Sequence, residues 1–154
     1  MPKGNIHLGV DGHVVNIIPP VAAGNQTSDY FHLRGAAHVD IVLTTGAVTN
    51  ATTVTVYESQ TSGATVETAI VFSYYELTAG TDTWSAKTAA TVGGISLGTG
   101  NNRGIIIAID AADLTSTYDY IAIKTSTAAS CLHSAIAVIG GQRFSKETPN
   151  SAID

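Results

Sequence analysis

The sequence predicts an all-β fold, either an antiparallel β-sandwich or a jelly-roll-like barrel. Three observations lead to this class. Apolar residues recur at every second position, turn-forming Gly, Asn, Asp and Ser clusters separate these runs, and no window of eleven residues carries an apolar stripe at helical spacing. A chain of 154 residues can bury one such core without disulfides or metals.

Six alternating runs are the main predicted strands, and three weaker runs add to them. The main runs cover residues 39–43, 54–56, 70–74, 105–109, 121–123 and 132–138, and the weaker ones cover 14–18, 30–34 and 83–88. The run 105–109 is apolar on both faces, which is typical of a central strand. The Pro19-Pro20 pair is predicted to end the first strand, because proline donates no backbone hydrogen bond.

The last strand bears on how the protein meets other molecules. We expect Leu132, Ile136 and Val138 to face the core, with Ala135 and Ala137 on the opposite face. The outer faces of the other strands are largely Thr and Tyr rather than charged residues. Small, uncharged faces are suited to being covered by another subunit, so the sequence predicts oligomerisation.

One short helical turn is predicted near 111–114, where Asp110 could act as its N-cap. The remaining organisation is simple. We expect an N-terminal arm over residues 1–13, a single β-sandwich domain over 14–144 and a polar C-terminal tail over 145–154.

Composition excludes several classes of function. Charged residues make up 12% of the chain, the net charge is −5, and the seven Lys and Arg residues are scattered, so direct nucleic-acid binding is not expected. No apolar segment has the length of a membrane span, and no apolar stretch follows Lys3 as it would in a signal peptide. We therefore expect a protein that is made in the cytoplasm and does not contact membranes.

Two groups of residues that contain histidine are candidates for a chemical site. His38 and Asp40 share a strand face, and His32 could approach them, but a metal site needs three or four ligands. Cys131 and His133 also share a face, yet nucleophilic pairs usually place the thiol at a helix N-terminus. Both pairs are interpreted as packed or surface side chains, and we expect no catalytic, cofactor or metal site.

Three further patterns suggest ligand binding only superficially. The glycine-rich residues 98–104 precede a strand, whereas phosphate-binding loops open a helix. Three glutamates cannot be paired from sequence as glycosidase acids: Glu58, Glu67 and Glu76. Trp84 with Tyr74 and Tyr75 could form a sugar-stacking platform, which keeps a lectin-like module as an alternative.

Taken in order, these segments resemble the small virion proteins of tailed bacteriophages, in particular head decoration (cement) proteins. The resemblance runs from about residue 30 to 143. It is carried by the strand 38–45 with Gly46, Thr-Val-Thr-Val-Tyr-Glu-Ser at 53–59, Ile-Val-Phe-Ser-Tyr-Tyr at 70–75, the Trp84 segment, Ile-Ile-Ile-Ala-Ile-Asp-Ala-Ala-Asp-Leu at 105–114, Tyr-Asp-Tyr-Ile-Ala-Ile at 118–123 and Ser-Ala-Ile-Ala-Val-Ile-Gly-Gly at 134–141.

The resemblance implies a non-enzymatic virion protein on the capsid exterior that binds the major capsid protein and stabilises the head lattice. It also implies a homo-oligomer, with a trimer favoured over a dimer, and it supplies no active-site residues. The alternatives are a glycan-binding β-sandwich module and a structural subunit of the tail or head–tail junction.

Overall fold

A computed structural model describes residues 12–33, 35–78, 80–127 and 131–140 of the chain, and these residues are almost entirely β-structure. The predicted all-β class is confirmed. The elements in chain order are β1 His13–Ala23, β2 Gln26–Thr27, β3 Phe31–His32, β4 His38–Thr45, β5 Ala47–Val48, β6 Thr52–Ser59, β7 Glu67–Ile70, β8 Phe72–Glu76, β9 Thr88–Ala90, β10 Ile95–Leu97, β11 Gly100–Asn101, β12 Gly104–Asp110, a 3-10 turn Ala111–Asp113, β13 Tyr120–Thr127 and β14 Cys131–Gly140.

The strands form two antiparallel sheets of a sandwich. The six-stranded sheet has the order β1-β14-β4-β12-β8-β9. The second sheet has the order β10-β6-β13-β2, with β3 added to β13 and β7 added to β6, and β5 pairs with β11 in a small ribbon. The sheets stay separate within the described residues, so the sandwich prediction is right and the barrel alternative is wrong.

One hydrophobic core lies between the two sheets. Alternate residues of β4, β12 and β14 enter it from the six-stranded sheet, and alternate residues of β6 and β13 enter it from the other. Phe31, Ile41, Leu43, Ile107 and Ile121 are completely or almost completely buried. As the sequence predicted, β12 is a central strand, because β4 and β8 flank it on either side.

The first strand is longer than predicted, because Pro19 and Pro20 do not end it. β1 is an edge strand, where a missing N–H can face away from the sheet. Its pairing with β14 shifts register between Asn16 and Ile18 and again between Ile18 and Val21. These β-bulges accommodate the prolines and let the strand continue.

The orientation predicted for β14 is wrong. Ala135 and Ala137 are buried, whereas Leu132 is 49% exposed and Ile136 is 37% exposed. The cause is the register with β4, which pairs Ala137 with the inward-facing Ile41. Directly opposed residues share a face, so the alanines point into the core and the larger side chains point outward.

Two further strand predictions, the main run 70–74 and the weaker run 83–88, differ from the structure. The run 70–74 is divided between sheets, since β7 pairs with β6 while β8 pairs with β12. The predicted strand 83–88 is not continuous: Trp84 makes an isolated bridge to Leu77, and regular pairing begins only at Thr88. β10 was not predicted, because Ile95–Leu97 is too short to show alternation.

The predicted helical turn is present as Ala111–Asp113, but Asp110 does not cap it with its side chain. Instead, a glutamate of the other sheet fixes the segment that follows the turn. The carboxylate of Glu58, which is only 1% exposed, accepts hydrogen bonds from the backbone N–H and the hydroxyl of Thr115. No helix within the described ranges has the length and hydropathy needed to cross a membrane.

The predicted arm and tail lie largely outside the described residues. Among the described residues the first strand begins at His13, the residue where the predicted arm ends, and residues 1–11 are outside the described range. The predicted tail 145–154 is likewise outside it.

The face reversal of β14 predicts how stability responds to two matched substitutions. Ala137→Leu should lower the free energy of unfolding by about 1–3 kcal/mol, because the added atoms overpack a filled core. Ala89→Leu, the same change at an exposed position of β9, should have an effect within about 0.5 kcal/mol. Urea denaturation of both variants tests this, and equal stability of the two would contradict the assigned orientation.

Candidate functional site

The outward side chains of the six-stranded sheet form a surface that we call the outer face. The register places Ile136 beside Val42, Val42 beside Ile106, and Ile106 beside Tyr75. We call these four residues the apolar band. Ile136 is 37% exposed and the other three are half-buried. The centre of the outer face is therefore apolar and open to solvent.

A second row of outward residues lies beside the apolar band, toward the end of the sheet where β14 finishes. It consists of Val14, Val138, Asp40, Ala108 and Ser73 on successive strands. Val14 is 45% exposed and Val138 is half-buried. We call this adjacent pair of valines the ridge.

A groove of about 540 Å³ lies on the other side of the apolar band, toward the end of the sheet where β14 begins. Its floor is made by Ser134, Thr44 and Gly104, which are register partners on three neighbouring strands. Small residues in one row across the sheet leave a depression between the larger side chains around them.

Apolar residues border the groove on two sides. Pro20 and Leu132 line it on the side of β1 and β14, and Leu77 and Trp84 line it on the side of β8. Leu132 is 49% exposed and Trp84 is 39% exposed. Leu132 occupies the space above Gly46, where any Cβ atom would lie 2.8 Å from its side chain. Glycine at this position therefore lets Leu132 form the border.

An ion pair lies at one end of the groove. An Arg103 Nη2 atom is 2.6 Å from an Oε1 atom of Glu76, and Arg103 lines the groove. The carbonyl of Arg103 accepts a hydrogen bond of 2.8 Å from the backbone N–H of Thr45. Because the guanidinium and the carboxylate are paired, this end of the groove carries little net charge.

The charged residues among the outward strand positions are grouped at the opposite end. His38 Nδ1 is 2.7 Å from an oxygen of Asp110, and Nε2 is 3.0 Å from an oxygen of Asp40. Burial acts to lower the pKa of His38, but the hydrogen bonds to Asp110 and Asp40 outweigh it, so the pKa lies above its ordinary value. The sequence predicted that His38 and Asp40 share a strand face, while Asp110 is brought to them by the register of β12 with β4.

His32 does not join this group, because it lies on the other sheet. Its strand β3 pairs with β13, and its ring packs edge-on against Tyr120 at 4.6 Å between ring centroids. Among the described residues, no group of three or more His, Cys, Asp or Glu side chains is arranged to hold a metal ion.

Cys131 and His133 share one face of β14, as predicted, but this face points inward because the orientation of the strand is the reverse of the predicted one. They are 3% and 1% exposed. Burial raises the pKa of the Cys131 thiol, which is the opposite of what an activated nucleophile needs. Burial also lowers the pKa of His133, against a smaller opposing effect of the Gly24 backbone, and neither ring nitrogen forms a hydrogen bond of ordinary geometry within the described residues.

The three glutamates have separate partners. Glu58 holds Thr115 and Glu76 pairs with Arg103, as described above. Glu67 accepts hydrogen bonds from Lys124 and from the Tyr30 hydroxyl. These two contacts lower the pKa of Glu67, whereas burial and the neighbouring carboxylate raise the pKa of Tyr30. Each carboxylate therefore has a structural partner in the fold.

The remaining predicted features fall in different places. Residues 98–104 lead into β12, as expected, and part of this segment pairs with β5. Tyr75 belongs to the apolar band, whereas Tyr74 is paired with the inward-facing Ile107 and packs edge-on against Phe72. Trp84 borders the groove, so the three aromatic residues do not form one platform.

Comparison with known proteins adds no relationship at the level of sequence. No protein-family model matches the chain, and no curated protein is significantly similar to it.

The His38 geometry predicts a pH dependence. A free histidine side chain has a pKa of about 6.5, and the pKa of His38 in the folded protein is higher. The stabilisation by His38 is therefore fully present below about pH 6.5 and is lost as the pH rises through the folded-state pKa. His38→Gln should therefore lose more stability, relative to the wild type, at about pH 5.5 than at about pH 8.5. Urea midpoints at the two pH values measure this, and an equal loss at both would contradict it.

The burial of Cys131 predicts that its thiol reacts slowly. Ellman's reagent should react slowly with the native protein and rapidly in denaturant, because the thiol is buried and its pKa is raised. Val66→Cys provides the control, since Val66 is 55% exposed and the new thiol should react at once. Rapid labelling of Cys131 in the folded wild type would show that the thiol is accessible.

Proposed function

We propose that this protein is a non-enzymatic structural subunit of a tailed-bacteriophage particle, and specifically a decoration protein on the capsid exterior. The observation that supports the proposal is the outer face, whose centre is apolar and whose charged strand residues, in the part of the chain that the structure describes, are His38, Asp40 and Asp110. Contiguous exposed apolar surface on a folded domain marks a site of protein interaction.

The side chains of this face are suited to a permanent contact. Valine, isoleucine, threonine and alanine lose little rotamer entropy when another subunit covers them. A β-sheet also holds them in fixed rows, so little reorganisation is needed on binding. Repeated on a symmetric shell, a modest affinity at each site gives a large total stabilisation through multivalency.

The proposed partners are the major capsid protein and further copies of this chain. A decoration protein resists the internal pressure of packaged DNA by bridging the joints between capsid subunits. On this proposal the arm 1–13 lies over neighbouring subunits, and the contacts are with protein rather than with nucleic acid or membrane. The proposal includes a homo-oligomer, and the resemblance favours a trimer over a dimer.

Co-sedimentation with expanded, undecorated capsid shells of the parent phage tests this function. The wild type should bind saturably at a fixed ratio to the capsid protein. Ile136→Lys, which puts a charge into the apolar band, should reduce binding at least tenfold, as expected for a buried unpaired charge. Val66→Lys is the control, since Val66 is also exposed, at 55%, but lies in the loop before β7, and this variant should bind normally.

Absence of saturable binding by the folded wild type would contradict the decoration role and favour a tail subunit or a binding module. Equal binding of Ile136→Lys and the wild type would instead exclude the outer face from the contact with the shell.

The arm is tested by deleting residues 1–11, which leaves β1 intact from His13. The shortened protein should keep its oligomeric mass and its circular dichroism spectrum but should no longer sediment with shells. Normal binding by the shortened protein would show that the arm is not needed.

A glycan-binding module is the second candidate, and the exposed Trp84 beside the groove favours it. A sugar could stack on the indole while Thr44, Ser134 and Asn102 supply hydrogen bonds. Most of the lining is apolar, however, which fits a protein partner better than a sugar rich in hydroxyl groups. A glycan array with the wild type and Trp84→Ala separates the two, since only a lectin gives signals that Trp84→Ala removes.

A further inference from the structure

We propose that residues 21–23 form a strap that closes the side of the sandwich next to His133 and opens when the imidazole of His133 takes up a proton. Opening removes one border of the groove on the outer face, so acid and a partner in the groove act in opposite directions on the strap. The strap is measured on the purified protein, and only its coupling to shell binding rests on the proposed function.

His133 lies inside the sandwich, at the end where β14 begins. It is 1% exposed, and neither ring nitrogen has a hydrogen-bond partner of ordinary geometry within the described residues. Its register partners are Val21 in the strap and Thr45 on β4. After the strap the chain passes Gly24, whose backbone is close enough to His133 to affect its pKa, and enters β2 of the second sheet. The strap therefore closes the sandwich beside the ring.

No charged side chain faces His133 in the part of the chain that the structure describes. On β14 the Cys131 thiol shares its face, and burial raises the pKa of that thiol, so it stays uncharged. β1 and β4 present the uncharged Val21 and Thr45. The Thr52 hydroxyl of the second sheet is close enough to Cys131 to affect its pKa. The buried, uncharged residues of the second sheet at this end are Thr52, Val54, Leu97 and Thr125.

The charged residues of the surrounding elements lie elsewhere. Glu58 also enters the core from β6, but it is six residues from Thr52, which is roughly 20 Å along the strand, and it is held by Thr115. Arg103 and Glu76 pair with each other at the groove, on the opposite surface of the sheet. A protonated His133 in the closed protein therefore has no carboxylate to pair with, and only water can stabilise its charge.

The direction of the pH effect follows from burial. Burial lowers the pKa of His133 in the closed protein, against the smaller effect of the Gly24 backbone, whereas an exposed imidazole has a pKa of about 6.5. Below about pH 6.5 the open state therefore binds more protons than the closed state. The free energy that favours closure falls as the pH decreases from about 6.5 to the folded-state pKa. In this window the population of the open state rises by a factor that approaches about ten for each pH unit.

The strap is joined to the sheet separately from the rest of β1. Because β1 is an edge strand, the strap pairs on one side only, with residues 131–133 of β14. Pro19 and Pro20 precede it and donate no backbone hydrogen bonds. Register shifts on both sides of Ile18 separate it from the first part of the strand. The strap can therefore open while residues 13–16 stay paired.

Opening of the strap also changes the outer face. Pro20 and Val21 line the groove, and Leu132, which pairs with Ala22, forms its border. A partner that fills the groove contacts this border only in the closed state, so the partner stabilises closure. Because linkage is reciprocal, uptake of a proton by His133 weakens the binding of that partner.

The reactivity of Cys131 measures opening, because this thiol is buried and its register partner Ala23 belongs to the strap. A pyridyl disulfide is used, since it reacts with thiols at acid pH, and each rate is divided by the rate of the denatured protein at the same pH. From about pH 7.5 to about pH 5.0 the normalised rate of the wild type should rise at least about fivefold. Low urea concentrations should leave this rise unchanged, because a local opening exposes little surface.

Three variants separate strap opening from general unfolding in acid. His133→Gln removes the titrating ring and should abolish the rise, and His133→Leu makes the same test if the first variant does not fold. Ala137→Cys in a Cys131→Ala background carries a buried thiol on the same strand, and its partner on β1 is Val15, which precedes the register shifts. The normalised rate of this control should not rise in acid.

Three outcomes would each overturn the inference: a wild-type rate that does not depend on pH, an equal rise in Ala137→Cys, or an undiminished rise in a folded His133 variant. The first two need no substitution of His133, so they decide the inference even if neither variant of that residue folds.

Capsid shells test the coupling of the strap to the groove. At about pH 5.0, saturating shells should slow the labelling of Cys131 in the wild type at least about fivefold, because the bound protein is held closed. A wild type that binds shells but is labelled at an unchanged rate refutes the coupling. A wild type that binds no shells refutes the proposed function, and the strap is then decided by the thiol rates of the free protein.

Discussion

The hydrogen-bond register of three central strands, β14, β4 and β12, is the constraint on which the rest of the structure depends. It pairs Ala137 with Ile41 and Ile41 with Ile107, and all three enter the core. The alternate residues of the same strands must then point outward. A slip of β14 by one residue would bury Ile136 and expose Ala137, which would exchange the core with the outer face.

The charged side chains of the protein form pairs or hydrogen bonds that do not interrupt this alternation of core-facing and outward-facing residues. Glu58 is buried but holds the turn at Thr115, and Glu67 is neutralised by Lys124 on the outward side of the second sheet. The paired Glu76 and Arg103 lie at the end of the groove. Of these pairs only Glu76 and Arg103 adjoin the outer face, and because they lie at the end of the groove, the centre of that face is apolar. This property connects the fold to the proposed function.

The candidate site was only partly predictable. His38 and Asp40 could be placed on one face because they are two residues apart on a strand, whereas Asp110 joins them through pairing with a strand more than sixty residues away. The groove could not be foreseen, since its lining comes from four strands and from the segment around Trp84. The prediction of which face of β14 is buried was also wrong. Where Ala alternates with Ile and Val, the pattern suggests that the larger residues are buried, whereas in β14 the alanines are.

The sequence by itself determined the all-β class, the central position of β12 and the scarcity of charge, because these follow from local alternation and composition. Which face of each strand is buried, where the run 70–74 divides between two sheets, and how ridge, band and groove adjoin were decided only by the tertiary structure. The physical reason is that a strand with apolar residues on both faces can satisfy its periodicity in either orientation. Only the hydrogen bonds to its neighbours, together with the volume available between the sheets, choose one orientation over the other.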